Sequence, residues 1–410
     1  MRFIGGLLLI IGTSIGGGML ALPVVNAASG FYISVVFLIL CWLLMTLGAF
    51  YILEVNLYFP SGSNLPSMAY ATLGRWGLVV TWVCYLLLMY VLLCAYIAGG
   101  SDVLANVCAA IKIHLNDTTS ILLFTLIFGA VVYAGIYQVD LLNRILMLLK
   151  LLAYGLLVGL IAPSVQLIHL KNMQMQAISA SLMILITAFG FAIIVPNLRT
   201  YFADDLAQLK KVIWLGSLVP LICYIAWDAV IIGSITNQAS LANLLSDPHT
   251  TSSLSKLLAS NLQHPMIIIL FNFFTSICML TAFLGVALCL MSFLSDGLKV
   301  SNQWRDKVLL SLLTFGPPLS LVLFYPQIYL QALHYAGYLC VILLLFLPAL
   351  MALNGRKRYH AVFTVWGGKY CLWLLIIGAI IILGSVGNCQ QTLGTSKIKI
   401  NKEHELMTRV

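Results

Sequence analysis

Charge is what this sequence has least of. Of 410 residues, 21 are Lys or Arg and 12 are Asp or Glu, so charged residues make up only 8%. A soluble domain carries about 25% and uses them to cover its surface. That shortage excludes the two or three soluble domains that such a length would otherwise suggest. Hydrophobic residues supply 62% and the mean hydropathy is +1.05. Residues 3–53, 76–101, 172–198, 265–295 and 370–396 contain no charge at all. A membrane-crossing helix needs about 20 predominantly apolar residues, so the chain reads as an all-α, polytopic membrane protein. The runs are continuously apolar and do not alternate with period two, which excludes a β-barrel.

Other features are also missing. The ten cysteines stand singly, without a C-x-x-C pair, and read as buried thiols. Cys108 and Cys389 are the two that would share one side of the membrane. There is no H-E-x-x-H and no metal-ligand spacing, so nothing points to a metal or cofactor. In the segment ending Gly368-Lys369, Phe363 stands where a phosphate-binding loop needs its first glycine, so no ATP site is expected. The net charge of +9 is spread through short loops, without the basic and aromatic clusters of a nucleic-acid binder. The histidines (His114, His169, His249, His264, His334, His360, His404) lie mainly in loops, and none is given a role.

Eleven spans are expected, at 3–29, 31–54, 77–101, 119–137, 144–164, 177–199, 212–234, 265–294, 308–325, 329–353 and 370–388. Residues 1–165 and 177–353 then form two five-helix halves. An eleventh helix (370–388) and a polar tail (389–410) follow. The first run is too long and too glycine-broken for a signal peptide. Lys and Arg set the orientation. With the amino terminus in the cytoplasm, thirteen basic residues fall in inner loops and three (Lys112, Lys171, Lys256) in outer ones. The tail, with Lys397, Lys399, Lys402 and Arg409, then falls outside, against the same rule.

The first span contains Gly12-Thr13-Ser14-Ile15-Gly16-Gly17-Gly18 at mid-membrane, followed by Pro23. Small-residue helix packing is one reading, since Gly12 and Gly16 satisfy it. Three consecutive glycines beside two hydroxyls favour a break instead, because each costs about 1 kcal/mol of helix propensity. The sixth span repeats the theme with Thr187-Ala188-Phe189-Gly190-Phe191-Ala192 and then Pro196. Paired interruptions at matching places in two halves point to an inverted-repeat transporter and to its binding site. Freed amides at such a break suit a carboxylate, and freed carbonyls suit an ammonium group. An amino acid offers both.

The same residues carry a family resemblance. Gly12 to Pro23 resembles the G-T-x-I-G-A-G-M-L-A-x-P of the hydroxy/aromatic amino acid permeases, whose bacterial members include tyrosine- and tryptophan-specific transport proteins. Leu53-Glu54-Val55-Asn56, Phe189-Gly190-Phe191 with Val195-Pro196, Leu284-Gly285-Val286-Ala287-Leu288, Phe324-Tyr325-Pro326 and Tyr335-Ala336-Gly337 resemble further motifs of that family, in order along nearly the whole chain. The resemblance implies a leucine-transporter-type 5+5 inverted repeat with helices one and six broken, plus one helix. It also implies a proton-driven importer of aromatic amino acids, tyrosine foremost, in the bacterial inner membrane. This chain departs from the family at Ala192, at Met291-Ser292 and at Asp228 after Trp227.

On these grounds the carboxylate is expected at the amides of Gly16, Gly17 and Gly18. The ammonium is expected at carbonyls near Thr13, Ser14 and Ala188–Gly190, with Phe189 or Phe191 against the ring. Span three places Tyr85, Met89, Leu92 and Tyr96 on one face, which is usually a packing stripe and is otherwise a wall of the pocket. Three ionisable residues lie in or at the rims of spans. Glu54 sits close enough to an edge to reach water or cap a loop. Asp228 reads equally as a structural residue, reaching water or a loop lysine, and as a proton carrier. Lys150 lies too deep to snorkel well and is the favoured coupling residue; the resemblance implies a lysine here in place of a cation that bridges spans one and eight, and so a reach to carbonyls near Ile11–Thr13 and to the hydroxyl of Thr281. A channel would need a filter, and an enzyme a nucleophile with its base or paired acids.

Overall fold

The computed structural model describes residues 2–171, 178–247, 249–262, 265–298, 304–360 and 362–384. Cys389, the tail 389–410 and the last residues of the expected eleventh span lie outside them. Among the described residues the chain is helical throughout, with no strand. In order, the helices are α1 (Arg2–Ser14), α2 (Gly17–Ala27), α3 (Phe31–Asn56), α4 (Leu65–Leu73), α5 (Arg75–Ala110), α6 (Asp117–Ala134), α7 (Ile136–Ile161), α8 (Leu167–Leu170) and α9 (Ile178–Ala188). There follow α10 (Val195–Tyr201), α11 (Leu206–Ser234), α12 (Gln238–Asn243), α13 (Thr250–Leu262), α14 (Pro265–Leu298), α15 (Trp304–Phe324), α16 (Tyr329–Cys340) and α17 (Leu347–Arg358). A last apolar helix, α18, covers Gly368–Gly384.

Nine of these helical stretches are long and apolar enough to cross a membrane, and α1 with α2 makes a tenth that is bent by 51°. The expected break in the first span is therefore present, over Ile15 and Gly16. The sixth is interrupted as well: α9 ends at Ala188, and a 3₁₀ segment, Gly190–Ile194, leads into α10.

Local chemistry fixes the ends. Asn64, Asn116, Asp205 and Asn237 cap α4, α6, α11 and α12 by accepting a backbone N–H three residues on. Gly74 (φ +80°) and Gly135 (φ +119°) join consecutive helices with a backbone turn that side chains disfavour. The outward faces meet lipid: on α7, Leu148, Leu152 and Leu156 are each more than 60% exposed, while Lys150, Ala153 and Leu157 on its other side are buried. Close helix approach depends on small residues. A side chain at Gly48 would strike the carbonyl of Leu344, in the π-helical turn Val341–Phe346 between α16 and α17. One at Gly337 would strike the carbonyl of Met183.

Candidate functional site

The two interruptions touch. A Cβ on Gly18 would lie 3.5 Å from the Cα of Ala188. Each break frees backbone groups that in lipid need partners, and side chains from three other helices supply them. The hydroxyl of Tyr224, on α11, lies 2.6 Å from the carbonyl oxygen of Ser14 and 2.9 Å from that of Ala188, so it joins both breaks. Tyr329, on α16, donates to the carbonyl of Gly17 at 2.6 Å. Lys150, on α7, is fully buried, and its Nζ donates to the carbonyl of Ile15 at 2.5 Å and to Thr281 Oγ1 at 3.3 Å. Thr281 in turn donates back into its own helix, to Ile277 and Cys278, which leaves a lone pair for the ammonium. The carbonyl met by Lys150 is thus Ile15, at the break itself, one turn beyond the Ile11 end of the expected stretch.

On the other side, α2 starts at Gly17, so its first amides have no partner within the helix. Gly17 is roofed by Tyr96: a Cβ there would lie 2.7 Å from the Tyr96 ring and 3.2 Å from the Met279 sulfur. Phe189 and Phe191 are fully buried, and Phe189 meets Tyr224 edge-on with ring centres 5.1 Å apart. Ser14, Gly16, Gly17, Gly18, Ala188, Phe189, Gly190 and Phe191 therefore sit at or beside the paired breaks, as do Lys150 and Thr281. Thr13 does not join them: it is exposed, and its hydroxyl bonds back to the carbonyls of Leu9 and Ile10. Of the span-three stripe Tyr96 reaches the break, whereas Tyr85 stacks on Phe293 at 4.6 Å. Gly12 to Gly16 also spells the G-x-S-x-G of a hydrolase nucleophile. That motif needs a strand running into a helix; here it joins two helices, and the Ser14 hydroxyl has no hydrogen-bond partner.

Asp228 lies apart, toward the far end of α2. It is fully buried and, among the described residues, pairs with no lysine: its Oδ2 accepts from the Asn26 side-chain amide at 2.6 Å. Its Oδ1, the Asn26 Oδ1 and the Ser29 hydroxyl have no hydrogen-bond partner. Beside them is a small cavity lined by Asn26, Ser29, Ser34, Phe37, Ser181, Leu182 and Leu185.

Glu54 is structural, but not as a water-reaching rim residue. It is fully buried; its two oxygens take Arg356 Nε at 2.6 Å and Nη2 at 2.8 Å, the amide of Val365 at 2.7 Å and the Tyr58 hydroxyl at 2.9 Å. Two residues on, Asn56 receives Arg199 on both its carbonyl and its side-chain oxygen, and Arg199 also binds Phe59 O at 2.8 Å and Asp204 at 2.5 Å. The L-E-V-N motif is thus a pair of clasps tying the end of α3 to α17 and to α10. The sequence offered no separate sign of Tyr224, Tyr329 or Asn26. Tyr224 lies one turn before Asp228, and Tyr329 lies between two of the resemblance motifs, which is the only hint of either.

Comparison with known proteins places the chain in a family. The profile of the tryptophan/tyrosine permease family matches residues 1–386. A tyrosine-specific transport system of Haemophilus influenzae is 32% identical over 93% of this chain and 95% of its own length. A tryptophan-specific transport protein of the same organism is 29% identical over 94% and 95%. A glutamine transporter of Aliivibrio fischeri is 28% identical over 93% and 98%.

Proposed function

Because the chain belongs to the tryptophan/tyrosine permease family, we propose that it imports aromatic amino acids, tyrosine first among them, by proton symport across the bacterial inner membrane. The reading takes the ten spans before α18 as two inverted halves of five, 1–165 and 177–353, with α18 as an eleventh. It places the amino-terminal face in the cytoplasm. The basic residues of the loops support that orientation.

One observation carries the mechanism: a fully buried amino group, Lys150, bridges the broken first span and α14 by hydrogen bonds to two neutral oxygens. While protonated, it ties the Ile15 carbonyl to Thr281. Once it gives up its proton to the cytoplasm, the charge that holds Ile15 is gone and the bridge loosens. Reprotonation from outside re-forms it and restores the substrate-binding state. Coupling requires only that the two states bind proton and substrate differently. The substrate carboxylate lies at the amides of Gly16, Gly17 and Gly18, its ammonium at freed carbonyls of Ser14 and Ala188–Gly190, and its ring against Phe189 or Phe191. Asp228 is the second candidate for carrying the proton.

The reading is tested by uptake of labelled tyrosine in cells lacking other aromatic permeases. Tyrosine, tryptophan and phenylalanine should compete, and glutamine and serine should not. Glutamine as the best competitor would replace the aromatic reading with that of the glutamine-transporting relative. Lys150→Gln should exchange bound substrate but fail to concentrate it under an imposed pH gradient. Undiminished accumulation would move the proton role to Asp228.

A further inference from the structure

The polar cluster that ties α13 down at the outer face has no part in the mechanism above. We propose that His249 is a proton-operated latch that holds the lid helix α13 against the outer ends of α5 and α6.

The imidazole stands between two carboxylates from two different helices. Its Nδ1 lies 3.2 Å from Asp102 Oδ1, on α5, and its Nε2 lies 3.8 Å from Asp117 Oδ2, in the first turn of α6. A third carboxylate, Asp247 of its own loop, accepts its backbone amide at 2.8 Å. Asp102 also caps α13 from outside that helix, taking the Ser252 amide at 2.9 Å and the Ser252 hydroxyl at 2.8 Å. Further along α13, Ser255 donates to Asn272 of α14 at 2.7 Å, and Asn272 also accepts from Asn106 of α5 at 3.2 Å. Lid, α5 and α14 are thus one polar assembly, and His249 is its histidine among three carboxylates.

The assembly has a direct line to the substrate site. Tyr96, Gly99 and Asp102 recur every three residues on α5. Tyr96 roofs Gly17; Gly99 fits against Tyr329, which bonds the Gly17 carbonyl; Asp102 holds the lid. A lid that moves off Asp102 releases one end of the helix that carries Tyr96.

The hydrogen bond to Asp102, together with the negative charge of Asp102, Asp117 and Asp247, raises the His249 pKa above its ordinary value. Its side chain is 45% exposed, so external protons reach it. A raised folded value means the latch is complete at and below about pH 6.5, where an ordinary histidine titrates. It is lost as the outer pH rises through the higher value. Acid outside, the condition that drives proton symport, therefore favours the closed lid. The latch does not depend on which amino acid is carried.

Spin labels on Lys256→Cys (α13) and Thr118→Cys (α6), both exposed positions, in full-length Cys289→Ala protein in lipid nanodiscs, measure the lid directly and without substrate. Between pH 8.5 and 6 the short-distance population should grow, by at most about tenfold per pH unit, the limit for one proton. His249→Gln should abolish the response with the lid open, and His249→Lys should abolish it with the lid closed. A wild-type distance distribution that ignores pH, or a His249→Gln protein that titrates like wild type, would overturn the latch. Neither result bears on substrate choice or on Lys150.

Discussion

Two buried regions of this molecule hold charge in opposite ways. At the amino-terminal face, Glu54 and Arg356 form a bidentate ion pair, and Arg199 spreads its guanidinium over Asp204 and three oxygens of the chain around Asn56 and Phe59. Each of those charges has an opposite one. At the paired breaks, Lys150 has none among the described residues; its hydrogen bonds go to a carbonyl and a hydroxyl. A buried pair with its hydrogen bonds complete clamps its elements together and resists any change of charge. A buried charge on neutral oxygens holds only as long as its proton stays, which in the proposed mechanism makes that region switchable. In the proposed mechanism, the difference separates a hinge from its fastening.

Breaking the fastening should have the largest effect. Glu54→Ala leaves Arg356 without its partner and the Val365 amide without an acceptor, a class of change that costs about 3–5 kcal/mol. Thermal unfolding in detergent should show it, and Glu54→Ala with Arg356→Met should recover much of the loss. No loss in the single variant would mean that the clasp is not tight. At the switchable region, Gly17→Val drives a side chain into Tyr96 and Met279 and screens the amides of the break. Substrate affinity should fall at least about 100-fold, or about 3 kcal/mol, while the protein still inserts and elutes as folded. Unchanged affinity would remove the carboxylate from Gly17.

Tyr224→Phe asks whether the two breaks are held together by one hydroxyl. It leaves the carbonyls of Ser14 and Ala188 without that donor, at about 1–3 kcal/mol. The loss should appear in transport rate and in faster hydrogen exchange at both breaks; exchange confined to one would show that they move separately. The smallest effect belongs to the ring contact. Phe191→Leu should weaken tyrosine and tryptophan relative to alanine by about 0.5–1.5 kcal/mol, read as a shift in competition constants. Equal weakening of all substrates would make Phe191 a packing residue.

The breaks were legible because glycine and proline clusters inside an apolar run have few other uses. Lys150 was legible because a charge at that depth stands out, and Thr281 because the resemblance placed it opposite. The partners of the break were not. Tyr224 and Tyr329 look like any of the 18 tyrosines until the helices pack, whereas Tyr96 could be picked out as one member of the span-three stripe. Asp228 shows the same limit: its depth can be read from its position in the run, but not its hydrogen bond to Asn26.

Water and lipid impose on every residue of an apolar run the same demand, that its backbone bond within its own helix. Run length, interruption and loop charge therefore carry the all-helical class, the position of the broken spans and the sidedness expected of them. Which hydroxyl or ammonium meets a freed carbonyl is another matter, settled by residues 36 to 312 positions apart in the chain. Contacts at such separations follow no period in the sequence. Only the packing of α5, α7, α11, α14 and α16 around the two breaks decided them.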